Sequence, residues 1–202
     1  RIDAGERVGI IGHNGAGKST LLKALCRIYE PTSGRIHVQG RIAPLLEIGA
    51  GFHPEFAGRE NIYLNGAILG YSKAQLRDIE QEVIDFAELE EFIDTPVKYY
   101  STGMYLRLAF ALATAVHPEI LILDEMFAGG DASFVQKATA RMHKMIEKAN
   151  VLVLVSHDLS LLERLCTRVI WMDHGKVKSD GPAAEIIREY RESTTKPRAV
   201  AA

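Results

Sequence analysis

The chain has 202 residues, 47% of them hydrophobic, with 24 Lys and Arg against 26 Asp and Glu and a formal net charge of -2. That balance removes the electrostatic case for a nucleic-acid partner, while the length is enough for one domain with a good core and a subdomain. The longest apolar stretches, such as residues 108–116 and 151–155, are too short to span a bilayer, and Cys26 and Cys166 lie apart without metal-ligand spacing, which predicts buried thiols.

Residues 8–11 form an apolar run that predicts a first buried strand. It feeds the loop Gly12, His13, Asn14, Gly15, Ala16, Gly17, Lys18, Ser19 and Thr20, which leads into the helical pattern of residues 21–25. Glycines allow such a backbone to turn its N–H groups inward, and the helix start adds partial positive charge, so the segment predicts a phosphate cradle. Lys18 then meets the β and γ phosphates, Ser19 offers a hydroxyl to Mg2+, and Thr20 begins the helix proper. The helix stops near residues 30–34, and residues 35–42 predict a short hairpin. From residue 60 to about 116 the apolar period is helical, through Ile62, Ile68, Leu76, Val83, Leu106 and Phe110. Residues 120–123 and 151–155 are continuous apolar runs, as in strands covered on both faces of a parallel sheet. Residues 171–177 predict a final hairpin around a glycine turn, residues 183–190 a terminal helix, and residues 191–202 a disordered tail.

Asp124 ends the strand at residues 120–123, on the carboxyl edge where open α/β sheets hold ligands, so its carboxylate is placed to reach the Mg2+ held by Ser19. Glu125, one residue on, is placed to take a proton from an attacking water. Residues 100–107 read as a helix start capped by Ser101 or Thr102, with an accessible N–H at Gly103; a capped helix start is also an anion site. His157 follows the strand at residues 151–155 and can hydrogen-bond a terminal phosphate. The imidazoles of His13, His37, His117, His143 and His174 are given no role of their own.

In this order the motifs resemble the nucleotide-binding subunit of ABC transporters over nearly the whole chain. Residues 12–20 look like the Walker A loop, residues 120–124 the Walker B strand, Glu125 the catalytic glutamate, residues 101–104 the signature, Asp131 the D-loop aspartate and His157 the switch histidine. The resemblance implies a P-loop NTPase (RecA-like) α/β core of mainly parallel sheet from residues 1–54 and 116–190, with an inserted α-helical signature subdomain at 55–115. It implies ATP and Mg2+ as cofactors, and a homodimer packed head to tail in which Ser101 and Gly103 of one copy face the nucleotide of the other. It also implies a separate membrane permease, docked around residues 53–61, and a peripheral place on the cytoplasmic face of the bacterial inner membrane.

Tyr100, Thr102, Met104 and Met126 depart from the usual pattern. With residues 49–61 they are similar to the branch that exports polysaccharides of the O-antigen and teichoic acid type. No glutamine stands at the Q-loop, so His53 is expected as its stand-in and as a further Mg2+ ligand, with Glu47 the weaker choice. The family's N-terminal strands, which carry an adenine-stacking aromatic, are expected to be missing ahead of Arg1. The alternatives are a soluble ABC ATPase outside transport, which usually carries two cassettes or a long coiled coil, and an exporter subunit for another substrate.

Overall fold

The computed structural model describes residues 1–45, 48–115, 118–124 and 132–195. Among these, six strands form one sheet in the order β2-β3-β4-β1-β5-β6. Strand β1 (Arg7–Ile11) is interior and runs parallel to both neighbours, β4 (Val151–Val155) and β5 (Arg168–Asp173). Strand β3 (Ile120–Asp124) is parallel to β4 on its other side. The apolar runs are continuous because Leu121, Ile122, Leu123, Leu152, Val153, Leu154 and Val155 are all buried, as a strand covered on both faces requires.

Strand β6 (Lys176–Pro182) pairs antiparallel with β5. The turn between them is His174 at φ 48° and Gly175 at φ 77°, the two left-handed residues that match the twist of a two-residue hairpin. At the other end of the sheet lies β2 (Ile42–Leu45).

Two expectations are corrected. No hairpin forms at residues 35–42: along 35–39 half-buried Ile36 and Val38 alternate with exposed neighbours, but no ladder runs beside them, and strand structure begins only at Ile42. A period-two pattern becomes a strand only when a partner satisfies its backbone. The terminal helix runs past residue 190, as α7 (Ala183–Thr195).

The chain divides into two compact units, residues 1–44, 119–126 and 150–202 in one, and residues 45–118 and 127–149 in the other. The first holds the sheet from β1 to β6 apart from the end of β2, the helix α1 (Lys18–Leu25), the short α6 (Leu159–Leu165), and α7. Cys166 is buried there and its thiol is pushed up to about 12 by burial, while half-buried Cys26 rises to about 11. Both are free thiols, held in their unreactive protonated form.

The second unit is helical: α2 (Gly58–Ile68), α3 (Lys73–Ala87), α4 (Thr102–Thr114) and α5 (Ala132–Lys148). Its core gathers Ile62, Val83, Ile84, Leu89, Ile93, Leu108 and Leu112. Helix α5 belongs here because Phe134 meets Phe110 edge to face at 6.0 Å and Phe86 at 5.8 Å. The Arg141 guanidinium lies 4.3 Å from the Phe86 ring centre and donates to Glu82 at 2.7 Å. Helix α3 starts with a reciprocal cap between Ser72 and Gln75. Among the described residues no helix is long and apolar enough to cross a membrane.

Gly66 marks the tightest helix contact in this unit, since a Cβ there would lie 2.2 Å from Leu76 Cδ2. Leu76 is 1% exposed and has little room to retreat. Gly66→Ala is therefore expected to lose about 1 kcal/mol net, overpacking exceeding the gain in helix propensity, and to lower Tm by about 2–4 °C in a scanning calorimeter. A Tm equal to or above the parent's would show that Leu76 gives way.

Candidate functional site

Parallel pairing sets which side chains share the carboxyl edge of the sheet. Val155 is in register with both Ile10 and Asp124, and Ile11 with Trp171. The loop after β1, the end of β3, the Ser156–His157 step after β4 and the β5–β6 turn therefore leave one edge together, the place where such sheets bind ligands.

The loop itself is shaped by Gly12, Gly15 and Gly17, with φ of 151°, 81° and 96°. At Gly12 a side chain is excluded twice, because its Cβ would also sit 2.3 Å from the Met172 carbonyl oxygen. Ala16 is fully buried, its N–H donating to His13 O at 3.0 Å and its carbonyl accepting from the Gly175 N–H at 2.9 Å. The hairpin turn thus buttresses the loop from below, while His13, Asn14, Gly15, Ser19 and Thr20 stay exposed.

Lys18 opens α1 and is 8% exposed. Its Nζ donates to the carbonyls of Gly12 at 2.8 Å and His13 at 3.1 Å, which curls the ammonium back over the loop mouth. Gly17 caps the helix without any side-chain bond, and such a helix start favours an anion. Ser19 Oγ donates to Asp124 Oδ2 at 3.0 Å. That pair joins residues 105 positions apart and confirms that the strand-end carboxylate and the loop hydroxyl meet.

His157 is exposed beyond β4. Its neighbours set the backbone there: Asp158 caps α6 by accepting from the Ser160 and Leu161 N–H groups, and donates its own N–H to the buried Ser156. Glu125 and Asp131 lie outside the described residues, as does Glu47.

In the helical unit, Ser101 caps α4 by accepting from the Met104 N–H at 3.2 Å. Ser101 and Thr102 are exposed and Gly103 is half-buried, with nothing nearer than 3.8 Å to a Cβ built on it. Of the residues that depart from the usual signature, Tyr100 and Met104 turn inward. Met104 packs on the helical core, and Tyr100 donates from its hydroxyl to Phe92 O at 2.8 Å, burial pushing its phenol up to about 12.

His53 belongs to the helical unit, whereas Ser19 and Asp124 belong to the other. Its backbone exchanges hydrogen bonds with Asn61, whose side chain accepts from the His53 N–H at 2.6 Å, and its ring lies against Phe56 with centres 4.3 Å apart. Nδ1 accepts from the Glu55 N–H at 3.3 Å. A neutral imidazole that accepts at Nδ1 carries its proton on Nε2.

Sequence reasoning passed over one cluster at this edge: His13 Nε2 and His174 Nδ1 both lie 2.8 Å from Asp173 Oδ1. The hydrogen bond from His13, helped by the one from His174, holds the Asp173 carboxyl below the ordinary carboxylate range. Only the pairing of β1 with β5 could have revealed it.

Residues 1–128 match the family described as ABC transporter. The chain is 53% identical over 192 residues to an O-antigen export system ATP-binding protein of Myxococcus xanthus, covering 95% of this chain and 44% of that protein. It is 43% identical over 189 residues to the protein of the same description from Klebsiella pneumoniae, covering 94% of this chain and 77% of the relative. A solved structure of an ATP-binding subunit of an ABC transporter superposes with a TM-score of 0.73 at 28% identity, over 94% of this chain and 83% of that one. The phosphate loop, the Ser19–Asp124 pair and these similarities together establish that the chain belongs to the ABC transporter family, as a nucleotide-binding domain.

Proposed function

We propose that the chain binds and hydrolyses Mg-ATP and thereby powers export of a lipid-linked polysaccharide, of O-antigen or teichoic acid type, through a separate membrane permease. The observation that carries the ATP chemistry is the Ser19 Oγ to Asp124 Oδ2 contact of 3.0 Å. Two oxygens at right angles around Mg2+, each at about 2.1 Å, lie about 3 Å apart, so the pair fits two neighbouring ligand positions of that ion. When bound, the ion supplies charge neutralisation to the phosphates.

The chain's own groups divide the remaining work. Lys18 and the loop N–H groups of residues 12–20 hold the phosphates; Glu125 takes the proton of the attacking water; His157 hydrogen-bonds the terminal phosphate. Ser101 and Gly103 serve the nucleotide of a second copy packed head to tail, with Asp131 at that junction. His53 stands in for the Q-loop residue as a hydrogen-bond donor. The substrate class rests on the two export-system relatives.

The permease docks on the surface around residues 53–61. There Phe56 is 40% exposed and hydrogen-bonded through its carbonyl to the Val97 N–H, two residues from Tyr99, itself 69% exposed. Bound to that permease, the chain sits peripherally at the cytoplasmic face of the bacterial inner membrane.

Asp124→Asn is the direct test of the metal-binding pair. It is expected to retain ATP but to lose turnover by roughly two orders of magnitude, because several kcal/mol of charge stabilisation go with the ion. Phosphate release measured across a Mg2+ titration checks this, and a Mg2+ dependence identical to the parent's would remove Asp124 from the site.

A further inference from the structure

We propose that His13, Asp173 and His174 form a binding site for a divalent transition-metal ion of the Zn2+ class, fastening the phosphate loop to the β5–β6 turn. Among the described residues these three offer one ligand atom each, all within 4.8 Å of one another. The fold fixes their meeting: Ile11 pairs with Trp171, so the residues two places on, His13 and Asp173, leave adjacent parallel strands side by side. The left-handed turn then brings His174 back over the same carboxylate, its ring centre 4.8 Å from that of His13.

The hydrogen-bond inventory of His13 points to a cation. Nδ1 faces the Asn14 carbonyl oxygen at 2.6 Å and Nε2 faces Asp173 Oδ1 at 2.8 Å. Both partners are acceptors only, whereas a neutral imidazole has a single N–H. With the N–H of Nδ1 on the Asn14 carbonyl, the Nε2 lone pair faces the Asp173 carboxylate, an arrangement that a cation between the two would satisfy.

An Nδ1–H donated to a backbone carbonyl is also the support that metal-binding histidines characteristically receive, fixing the tautomer with the Nε2 lone pair outward. His174 Nδ1 reaches the same carboxylate at 2.8 Å. Tetrahedral Zn2+ with ligands at about 2.1 Å sets neighbouring ligand atoms about 3.4 Å apart. The observed spread brackets that spacing, so small rotations of exposed side chains complete the coordination, with water as the fourth ligand. Two imidazoles and one carboxylate suit Zn2+ and its neighbours better than Mg2+.

The consequence reaches the nucleotide site through the backbone, because the His13 carbonyl is one of the two that hold Lys18 Nζ.

The test is a titration of ZnCl2 into nucleotide-free protein at neutral pH, followed calorimetrically, with Co2+ absorption as the check on tetrahedral geometry. The variants are Asp173→Asn and His174→Asn, the latter keeping the turn because Asn tolerates the left-handed region and Asn-Gly is a favoured hairpin pair. His37→Ala is the control outside the cluster. The expected result is one equivalent of Zn2+ bound by the parent and by His37→Ala, weakened about tenfold or more in each cluster variant, while His174→Asn still binds ATP in zinc-free buffer. Absence of a single saturable equivalent, or binding unchanged in both cluster variants, would overturn the proposal and leave the cluster as two imidazoles hydrogen-bonded to a carboxylate.

Discussion

Glu125→Gln is expected to keep ATP bound while turnover falls by about two to four orders of magnitude, the span of a lost general base. The amide has the carboxylate's shape but cannot take a proton from water. Asp124 is the last residue of β3, in register with Val155 and bonded to Ser19, and Glu125 follows it directly in the sequence. If two copies close head to tail over ATP, blocked hydrolysis should also hold them closed. Light scattering with and without Mg-ATP then reports a shift from monomer to dimer, and phosphate release reports the rate. Unchanged turnover would take Glu125 out of its role. Lost turnover with ATP bound but no dimer would reject the two-copy arrangement and leave the catalytic assignment standing.

Lys18→Ala is expected to weaken ATP binding itself, by roughly 10- to 150-fold, which corresponds to about 1.5–3 kcal/mol for one hydrogen bond to a charged group. The side chain is 8% exposed and tied to the Gly12 and His13 carbonyls, so its loss removes both the charge facing the phosphates and the tether that curls the loop. Lys18→Arg separates these two effects: it keeps the charge but brings a planar fork where a compact ammonium meets the Gly12 and His13 carbonyls. Calorimetric titration with ATP measures all three proteins. Parent-like affinity in Lys18→Ala would argue against the cradle.

Much of the site was legible because it depends on local chemistry. A glycine-rich loop after a buried strand, and an acid at the end of another, suffice to predict that Ser19 and Asp124 meet, given that parallel strands share one carboxyl edge. Continuous apolar runs gave β3 and β4 for the same reason: both faces are covered. What escaped was set by partners distant in sequence. Residues 35–42 carry a strand-like pattern and a glycine turn, yet pattern alone supplies no ladder. Helix α7 extends to Thr195 because polar, charged residues such as Arg191 and Glu192 are good or tolerable helix formers on an exposed face, so polarity misleads as a stop signal. His13 and Asp173 are 160 residues apart, and nothing near either one announces the other. For His53, the tautomer depends on the Glu55 N–H, which only coordinates reveal.

Strand β6, antiparallel to β5, also governs how this protein can meet others of its kind. Strand β6 carries Lys176 and Lys178 on its exposed side and ends on Pro182, and Lys178 lies flat over Trp171, its Nζ 3.6 Å from the ring centre. Lysines and a terminal proline along an outer strand discourage edge-to-edge addition of a foreign strand. On that side the sheet is guarded against runaway fibre-like growth through added strands.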